Sequence, residues 1–411
     1  MKLNHSTSLV LKTTHYPDPN NQPQYFQLKP INMKSIYLKR TVLILVILLS
    51  AIVSRAQSND ELLNLLIKKN VLTQQEADSL RADLALKQQA KKDKDKANQH
   101  SITIGSRALQ IGGVIQARYQ GFQQTGVNNS FDLHRVRLIV SGDITDSWSY
   151  YTQTELGGTG TKLIDAFTSY KLADYFRVQA GQFKIPFSLE NLTSDALLEF
   201  IDRSQAVEAL AGRSKDVIGN QQGRDIGIQV AGNFAKVNDL YLFDYSFGVF
   251  NGAGYDVTTD NNNHKDISGR LGIHPIKNLD FGGSIYEGED IATGKTVTQA
   301  RNRYGFDGRY VLGPLSLTAE YVHGTDAAVK KDGWYAQAGY FVIPQIQLVA
   351  KYDTYDPNKL VTTDRSTIYY GGVNFIFNRW TKLSVDYLYR REETAIQVRN
   401  NILEAQMQIA F

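Results

Sequence analysis

From residue 107 onward the chain alternates. Apolar and polar side chains exchange places at every step over runs of ~10 residues, the period-two signature of a strand with two unlike faces. In the last run, Leu403, Ala405, Met407, Ile409 and Phe411 fall on one face, and Glu404, Gln406, Gln408 and Ala410 on the other. Val136, Leu138, Val140 and Ile144 share a parity, as do Tyr241, Phe243, Tyr245, Phe247 and Val249, and Leu383, Val385, Tyr387 and Tyr389. Strands of this length, apolar on one side only, cross a bilayer when tilted. The alternation predicts strands at 107–122, 131–144, 147–158, 163–172, 175–184, 224–234, 240–251, 267–275, 279–287, 302–312, 315–324, 332–343, 345–356, 366–377, 380–391 and 401–411. About sixteen is an even number, of the size that leaves an aqueous channel.

The connections sort by length. Tight links fall at Thr145-Asp146, Ala173-Asp174, Lys277-Asn278, Gly313-Pro314, Pro344 and Asn378-Arg379. Between them lie longer ones at 123–130, 185–223, 252–266, 288–301, 325–331, 357–365 and 392–400. Short turns at one end and long loops at the other are expected of an outer-membrane barrel with both termini in the periplasm. A soluble sandwich has no reason to sort its loops in this way. Trp148, Tyr175, Tyr321, Trp334, Tyr340 and Trp380, near strand ends, are expected in the interfacial aromatic girdles.

Composition agrees with an all-β transmembrane barrel over 101–411. Tyr 23, Phe 18 and Gly 32 make the chain rich in aromatics and glycine, while its mean hydropathy of −0.32 stays mildly polar because half of each strand faces water. The one long apolar run, 41–54, follows Lys34, Lys39 and Arg40 and ends in Ser54-Arg55-Ala56. It reads as a secretory signal peptide cleaved after Ala56, so 1–56 form a prefix and leader, with Met33 an alternative start. That prefix carries Lys2, Lys12, Lys29, Lys34, Lys39, Arg40 and Arg55 against Asp18 alone, which exceeds the whole formal charge of +4. The mature chain is therefore mildly acidic, and bulk charge gives no case for nucleic acid. Residues 57–100 have leucines at helical spacing (Leu62, Leu65, Leu66, Leu72, Leu80, Leu84, Leu86) and a capping box, Thr73-Gln-Gln-Glu76. They are expected to form a short helical periplasmic segment, either a solvated spacer or an oligomerising pair, that runs into the charge-dense 91–96.

Catalytic chemistry finds no support. There is no cysteine, the seven histidines are scattered without metal-ligand spacing, and no serine sits in a nucleophile elbow. Asp260-Asn-Asn-Asn263 with Asp266 reads as a solvated turn, with cation coordination the alternative. No enzyme activity, metal or cofactor is expected.

The polar parity gives the lumen. It collects Arg118, Arg135, Arg137, Arg177, Arg270, Arg303, Arg309, Lys351, Lys382 and Arg390, and also Asp143, Glu155, Asp165, Asp225, Asp244, Asp307, Glu320, Asp353, Asp386 and Glu404. Arg135 and Arg137, two apart on one strand, can offer forked donors to phosphate or carboxylate; the alternative is that each pairs with a carboxylate and braces the wall. The longest loop, 185–223, has an apolar centre at Asp195-Ala-Leu-Leu-Glu-Phe-Ile-Asp202 that needs burial. It is expected to fold into the barrel and narrow it, bringing Lys184 and Arg203 near Arg135 and Arg137.

These segments resemble the phosphate-selective porin O and P family. Gly181-Gln-Phe-Lys-Ile-Pro-Phe-Ser-Leu-Glu190 is similar to its most recognisable stretch, and Phe131-Asp-Leu-His-Arg-Val-Arg137 to its second-strand arginine pattern. Glu199-Phe-Ile-Asp-Arg-Ser204, Gly223-Arg-Asp-Ile-Gly227 and Phe250-Asn-Gly-Ala-Gly254 follow in order. The resemblance covers 107–411 and implies a sixteen-stranded trimeric barrel, in the outer membrane of a Gram-negative bacterium, whose basic residues conduct anions. The expected function is passive diffusion of small anions, phosphate or similar oxyanions first. A weakly selective diffusion porin and a structural anchor are the alternatives. Arg118, Arg135, Arg137, Arg177, Lys184, Arg203, Arg270, Arg309, Lys351 and Arg390 are the expected pore-lining and anion-binding residues. Outer-membrane lipid and small inorganic anions are the expected partners.

Overall fold

The computed structural model describes residues 101–104, 107–158, 160–211, 223–260, 262–291, 297–393 and 398–411. The leader and the expected helical segment at 57–100 lie outside them.

Among the described residues seventeen strands form one sheet. The first, β1 (Ser101–Ile104), is a short hairpin partner of β2. The other sixteen are β2 (Arg107–Phe122), β3 (Ser130–Asp143), β4 (Trp148–Glu155), β5 (Lys162–Ala173), β6 (Phe176–Lys184), β7 (Arg224–Val237), β8 (Leu240–Phe250), β9 (Asp266–Ile276), β10 (Leu279–Ile291), β11 (Thr298–Leu312), β12 (Leu315–Asp326), β13 (Val329–Ile343), β14 (Ile346–Asp356), β15 (Ser366–Asn378), β16 (Thr381–Glu392) and β17 (Ile402–Ala410). Each pairs antiparallel with its neighbours in sequence, and β17 closes on β2 through Ala410↔Val114 to Ile402↔Phe122. The result is a closed sixteen-stranded barrel with no free edge.

The burial pattern is the reverse of a soluble protein's. On β17, Glu404, Gln406 and Gln408 point inward and are buried, while Leu403, Met407 and Ile409 stand 46%, 39% and 45% exposed on the outside. Only a solvent of hydrocarbon makes that arrangement favourable. Around the loop end of the wall runs a belt of outward rings: Trp334 to Tyr352 at 4.7 Å, Tyr352 to Tyr369 at 5.3 Å and Tyr369 to Tyr389 at 6.2 Å between centroids. At the short-turn end Trp148, Tyr175, Tyr340 and Trp380 are similarly exposed. Closure also needs glycine at the seam. Phe411 and Gly113 exchange backbone hydrogen bonds of 2.8 and 3.0 Å. A Cβ on Gly113 would stand 2.6 Å from the Arg137 carbonyl oxygen and 2.7 Å from the Phe411 ring.

Some strands outrun the alternation. β10, β11, β12 and β13 continue past their expected ends, so the link expected at 325–331 shrinks to Ala327-Ala328, with Ala327 at φ 52°. Charged residues beyond the apolar belt still pair across these strands, Gly324 with Lys331 and Asp326 with Val329. Hairpins that rise clear of lipid need no apolar face, and so carry no hydropathy signal.

The described part of the loop, 185–211, folds inward. It contains α1 (Leu189–Leu192), a 3-10 turn (Asp195–Leu197) and α2 (Gln205–Leu210), the last capped by Ser204, whose hydroxyl accepts from the Val207 N–H. Ile185, Phe187, Val207 and Leu210 pack with Phe183, Phe250, Tyr286, Val322 and Tyr335 of the wall. Phe200 enters a second cluster with Val349, Ile368, Tyr370, Leu388 and Ile402. Leu198, Phe200 and Ile201 of the loop's apolar centre are thus buried inside the barrel, while Leu197 stays exposed.

Candidate constriction site

Hydrogen bonds hold the loop to the wall. The Glu199 carboxylate accepts from Gln337 Nε2 (3.0 Å), Gln347 Nε2 (2.7 Å) and the Ser316 hydroxyl, while Asn374 donates to its carbonyl (2.8 Å). Asp386 accepts from the Ile201 N–H and Asp353 from the Gln205 N–H, both at 2.8 Å. Glu320 takes the N–H groups of Leu189 and Glu190 at 3.1 Å each. Wall side chains also donate to loop carbonyls: Lys382 to Leu198, Lys351 to Asp202 and Gln408 to Ala196. Contacts spread over β12–β17 leave the loop little freedom to move as a lid.

On the facing side three guanidinium groups meet one carboxylate. Arg137 and Arg203 each donate to Asp195, and Arg135 Nη2 lies 3.5 Å from it. Arg137 is shared with Glu155 (2.8 Å). Arg203, 3% exposed, also donates to the carbonyls of Glu190 (3.1 Å) and Thr193 (2.7 Å). Arg135 donates to Gln116 Oε1 (2.8 Å) and has His134 Nδ1 at 3.1 Å. Lys184 donates to the Thr193 carbonyl (3.0 Å), which sets it at the foot of the same loop. Three guanidinium groups thus face Asp195 and Glu155, with Asp202 also acting on Arg135 and on the adjacent Arg118.

A β-bulge creates this cluster. Arg135 pairs with Gln116 and Leu133 with Ala117, so His134 is the extra residue. The bulge turns His134 and Arg135 both inward, with His134 Nδ1 2.7 Å from Gln406 Oε1.

The remaining candidates are dispersed. Arg118 pairs with Asp132 (2.6 Å) and reaches Asp202 (3.4 Å) above the cluster. Arg270 is held by Asp307, Arg309 by Asp280 (2.9 Å). Lys351 sits 4.2 Å from the Tyr370 ring centroid and 4.7 Å from that of Phe200. Arg390 lies on the inward parity of β16, its Nε buried without a partner among the described residues. Arg177 opens onto a cavity of about 410 Å³ near the short-turn end, also lined by Lys171, Lys184, Asp244 and His274. An adjoining cavity of about 310 Å³ shares Lys184, Leu192 and Gln229 with it and reaches Arg137 and Asp195. Among the described residues no group of side chains is arranged to hold a metal ion.

A family model described as phosphate-selective porin O and P matches residues 109–411. The chain belongs to the phosphate-selective porin O and P family. It is accordingly a porin of the outer membrane of a Gram-negative bacterium. Among solved structures, the anion-selective porin from Comamonas acidovorans is similar to this porin with a TM-score of 0.58. It is 13% identical, over 74% of this chain and 100% of that one. OmpT of Vibrio cholerae in its trimer form gives a TM-score of 0.56 at 12% identity, over 74% of this porin and 99% of that chain. At such identities the likeness establishes the fold. An uncharacterized protein of Caulobacter vibrioides is 26% identical over 254 residues, 58% of this porin. The chain spans about half the length of that curated relative.

Proposed function

We propose that this porin conducts small anions passively, with phosphate and similar oxyanions as the leading solutes, and that it works as a homotrimer. The observation that carries the reading is the convergence of Arg135, Arg137 and Arg203 on Asp195 where the inward loop meets the wall. Several guanidinium groups sharing one carboxylate at a constriction can lower the energy of an anion there and raise that of a cation. Arg135 has a long contact to Asp195 and otherwise neutral partners, Gln116 Oε1 and His134 Nδ1, so it is the member best able to exchange its acceptor for a passing oxyanion. Arg177 and Lys184, along the adjoining cavities, supply further weak stations toward the short-turn end. The similarity in fold to an anion-selective porin and to a trimeric one supports the same reading.

A weakly selective pore is the second reading, favoured by the matched pairs elsewhere in the lumen, such as Arg224 with Asp165 (2.8 Å) and Arg270 with Asp307. Reversal potential in asymmetric potassium chloride separates the two. Replacing Arg135 and Arg137 together with alanine shifts it toward cations and weakens phosphate block of chloride current if these arginines act on the ion. An unchanged potential in an inserted double variant would mean that they only brace the wall. Mass measurement in mild detergent tests the trimer, and a monomer at micromolar concentration would refute it.

A further inference from the structure

Beside Arg137, Lys184 and Asp195, the cavity of about 310 Å³ between the loop and the β4–β7 wall is lined by aromatic and amide side chains that anion conduction does not use. Its volume lies at the lower end of the ~300–1,000 Å³ typical of small-molecule sites, and it is far roomier than one inorganic oxyanion requires. Tyr151 and Phe167, directly paired across β4 and β5, present two half-buried rings stacked at 5.2 Å and 18° to each other. With Phe183, which Phe167 meets edge-on at 5.9 Å, they form an aromatic patch on the cavity wall.

Around that surface stand three glutamine amides with unused hydrogen-bonding capacity. Gln229 is 8% exposed, and its Oε1 has no partner among the described residues. Gln153 is 7% exposed and accepts from the Tyr151 hydroxyl at 3.0 Å, its amide N–H groups making no hydrogen bond among the described residues. Gln179 accepts a hydrogen bond from the Ser169 hydroxyl at 3.4 Å and has no other side-chain hydrogen bond among the described residues. The charge on this stretch of wall is spent internally, since Arg224 grips both oxygens of Asp165 at 2.8 and 2.9 Å.

We propose that this cavity binds a cyclic polyhydroxylated solute of monosaccharide size. A pyranose presents a face of C–H groups that can lie on stacked rings, while its equatorial hydroxyls point outward in the ring plane. Each hydroxyl both donates and accepts, and each glutamine amide offers one acceptor and two donors, so the two sets match without any charge. A rigid ring also loses less conformational freedom on binding than a linear polyol. Bound there, such a solute stands beside Asp195 and Arg137 and obstructs the ion path.

The proposal goes beyond anion conduction, and the two are read separately in one experiment. The full-length porin is reconstituted in planar bilayers, with D-glucose or sorbitol added to one side. Glucose is expected to reduce the current saturably and sorbitol only in proportion to viscosity. Tyr151→Ala and Gln229→Leu should each weaken the glucose block at least ~5-fold, while Tyr151→Phe, which keeps the ring, should retain most of it. Reversal potential reports the anion reading independently and should stay at the wild-type value in all three variants. Equal, non-saturating effects of glucose and sorbitol on the wild-type channel would overturn the proposal, whether or not the variants insert. So would an undiminished glucose block in inserted Tyr151→Ala.

Discussion

Asp195→Asn separates what the arginine cluster does for the loop from what it does for ions. Asp195 is 5% exposed and is the acceptor shared by Arg135, Arg137 and Arg203. Breaking a buried ion pair typically costs ~3–5 kcal/mol. The lower end applies here, because every arginine keeps another acceptor: Glu155 for Arg137, Gln116 for Arg135, and the Glu190 and Thr193 carbonyls for Arg203. The loop also keeps its anchors at Glu199, Ile201 and Gln205, so it should stay in the barrel. For an ion ~6 Å from the lost charge, Coulomb's law gives ~0.7 kcal/mol in a water-like medium and ~3 kcal/mol at an effective dielectric of 20. An anion gains this and a cation loses it, so even the aqueous limit changes their ratio by ~1.4 kcal/mol, about tenfold. In asymmetric potassium chloride the reversal potential should therefore move toward the chloride equilibrium value, with trypsin cleavage after the buried Arg203 still absent. A potential that stays put, or moves toward cations with the loop still protected, would refute the placement of Asp195 on the ion path.

Other sites give sharper structural tests. Glu199→Ala removes the acceptor of Ser316, Gln337 and Gln347. With hydrogen bonds to a charged group worth ~1.5–3 kcal/mol each, open-channel current noise should rise while the barrel still folds. Gly113→Leu must displace either the Arg137 carbonyl or the Phe411 ring, and heat-modifiable gel mobility should show a lost or much reduced yield of folded barrel. At the β5–β6 turn, hydrogen bonds from Lys171 and Tyr241 hold the Asp174 carboxyl below its ordinary value. A depressed carboxylate contributes stability that is full above the ordinary value and lost as pH falls through the folded one. Proteolysis at this turn should rise on strong acidification in the wild type, and Asp174→Asn should remove that pH dependence.

The barrel was legible because lipid enforces alternation on every strand it touches. Leu403, Met407 and Ile409 could be assigned outward from parity alone, and they are outward. The hairpins of β10–β13 beyond the membrane escaped that rule, since water on both sides rewards no pattern. Inside the lumen, parity says which way a side chain points and nothing about which partner it meets. The same inward parity is shared by Arg135, gathered with two other arginines at the loop, and by Arg177, which forms no ion pair with a described residue. Asp195 as the shared acceptor could not be read from spacing, because the loop that carries it takes its path from Phe200 and Leu210 packing against distant strands. The bulge did leave a trace. Apolar residues are odd-numbered at Phe131 and Leu133 and even-numbered at Val136, Leu138 and Val140, and one inserted residue at His134 explains that switch.

The inward loop divides the lumen unequally, and its bonding shows why. Toward β12–β17 it is joined through Glu199, Ile201, Gln205 and the carbonyls taken by Lys351, Lys382 and Gln408. Toward β4–β9 it shares two adjoining cavities with the wall, whose lining includes Lys184, Arg177, Gln229 and Tyr151. Those cavities, of about 410 and 310 Å³, offer more room for solute than the cavity of about 210 Å³ on the bonded side, which Glu199, Ser316 and Gln337 line. Basic residues on the crowded side, such as Lys351 and Lys382, are tied to the loop and serve its position. Basic residues along the cavities stand beside the space a solute would cross. Selectivity should accordingly respond to changes at Arg135, Arg137, Lys184 and Arg177, and hardly at all to removal of Lys382 unless the loop itself is released.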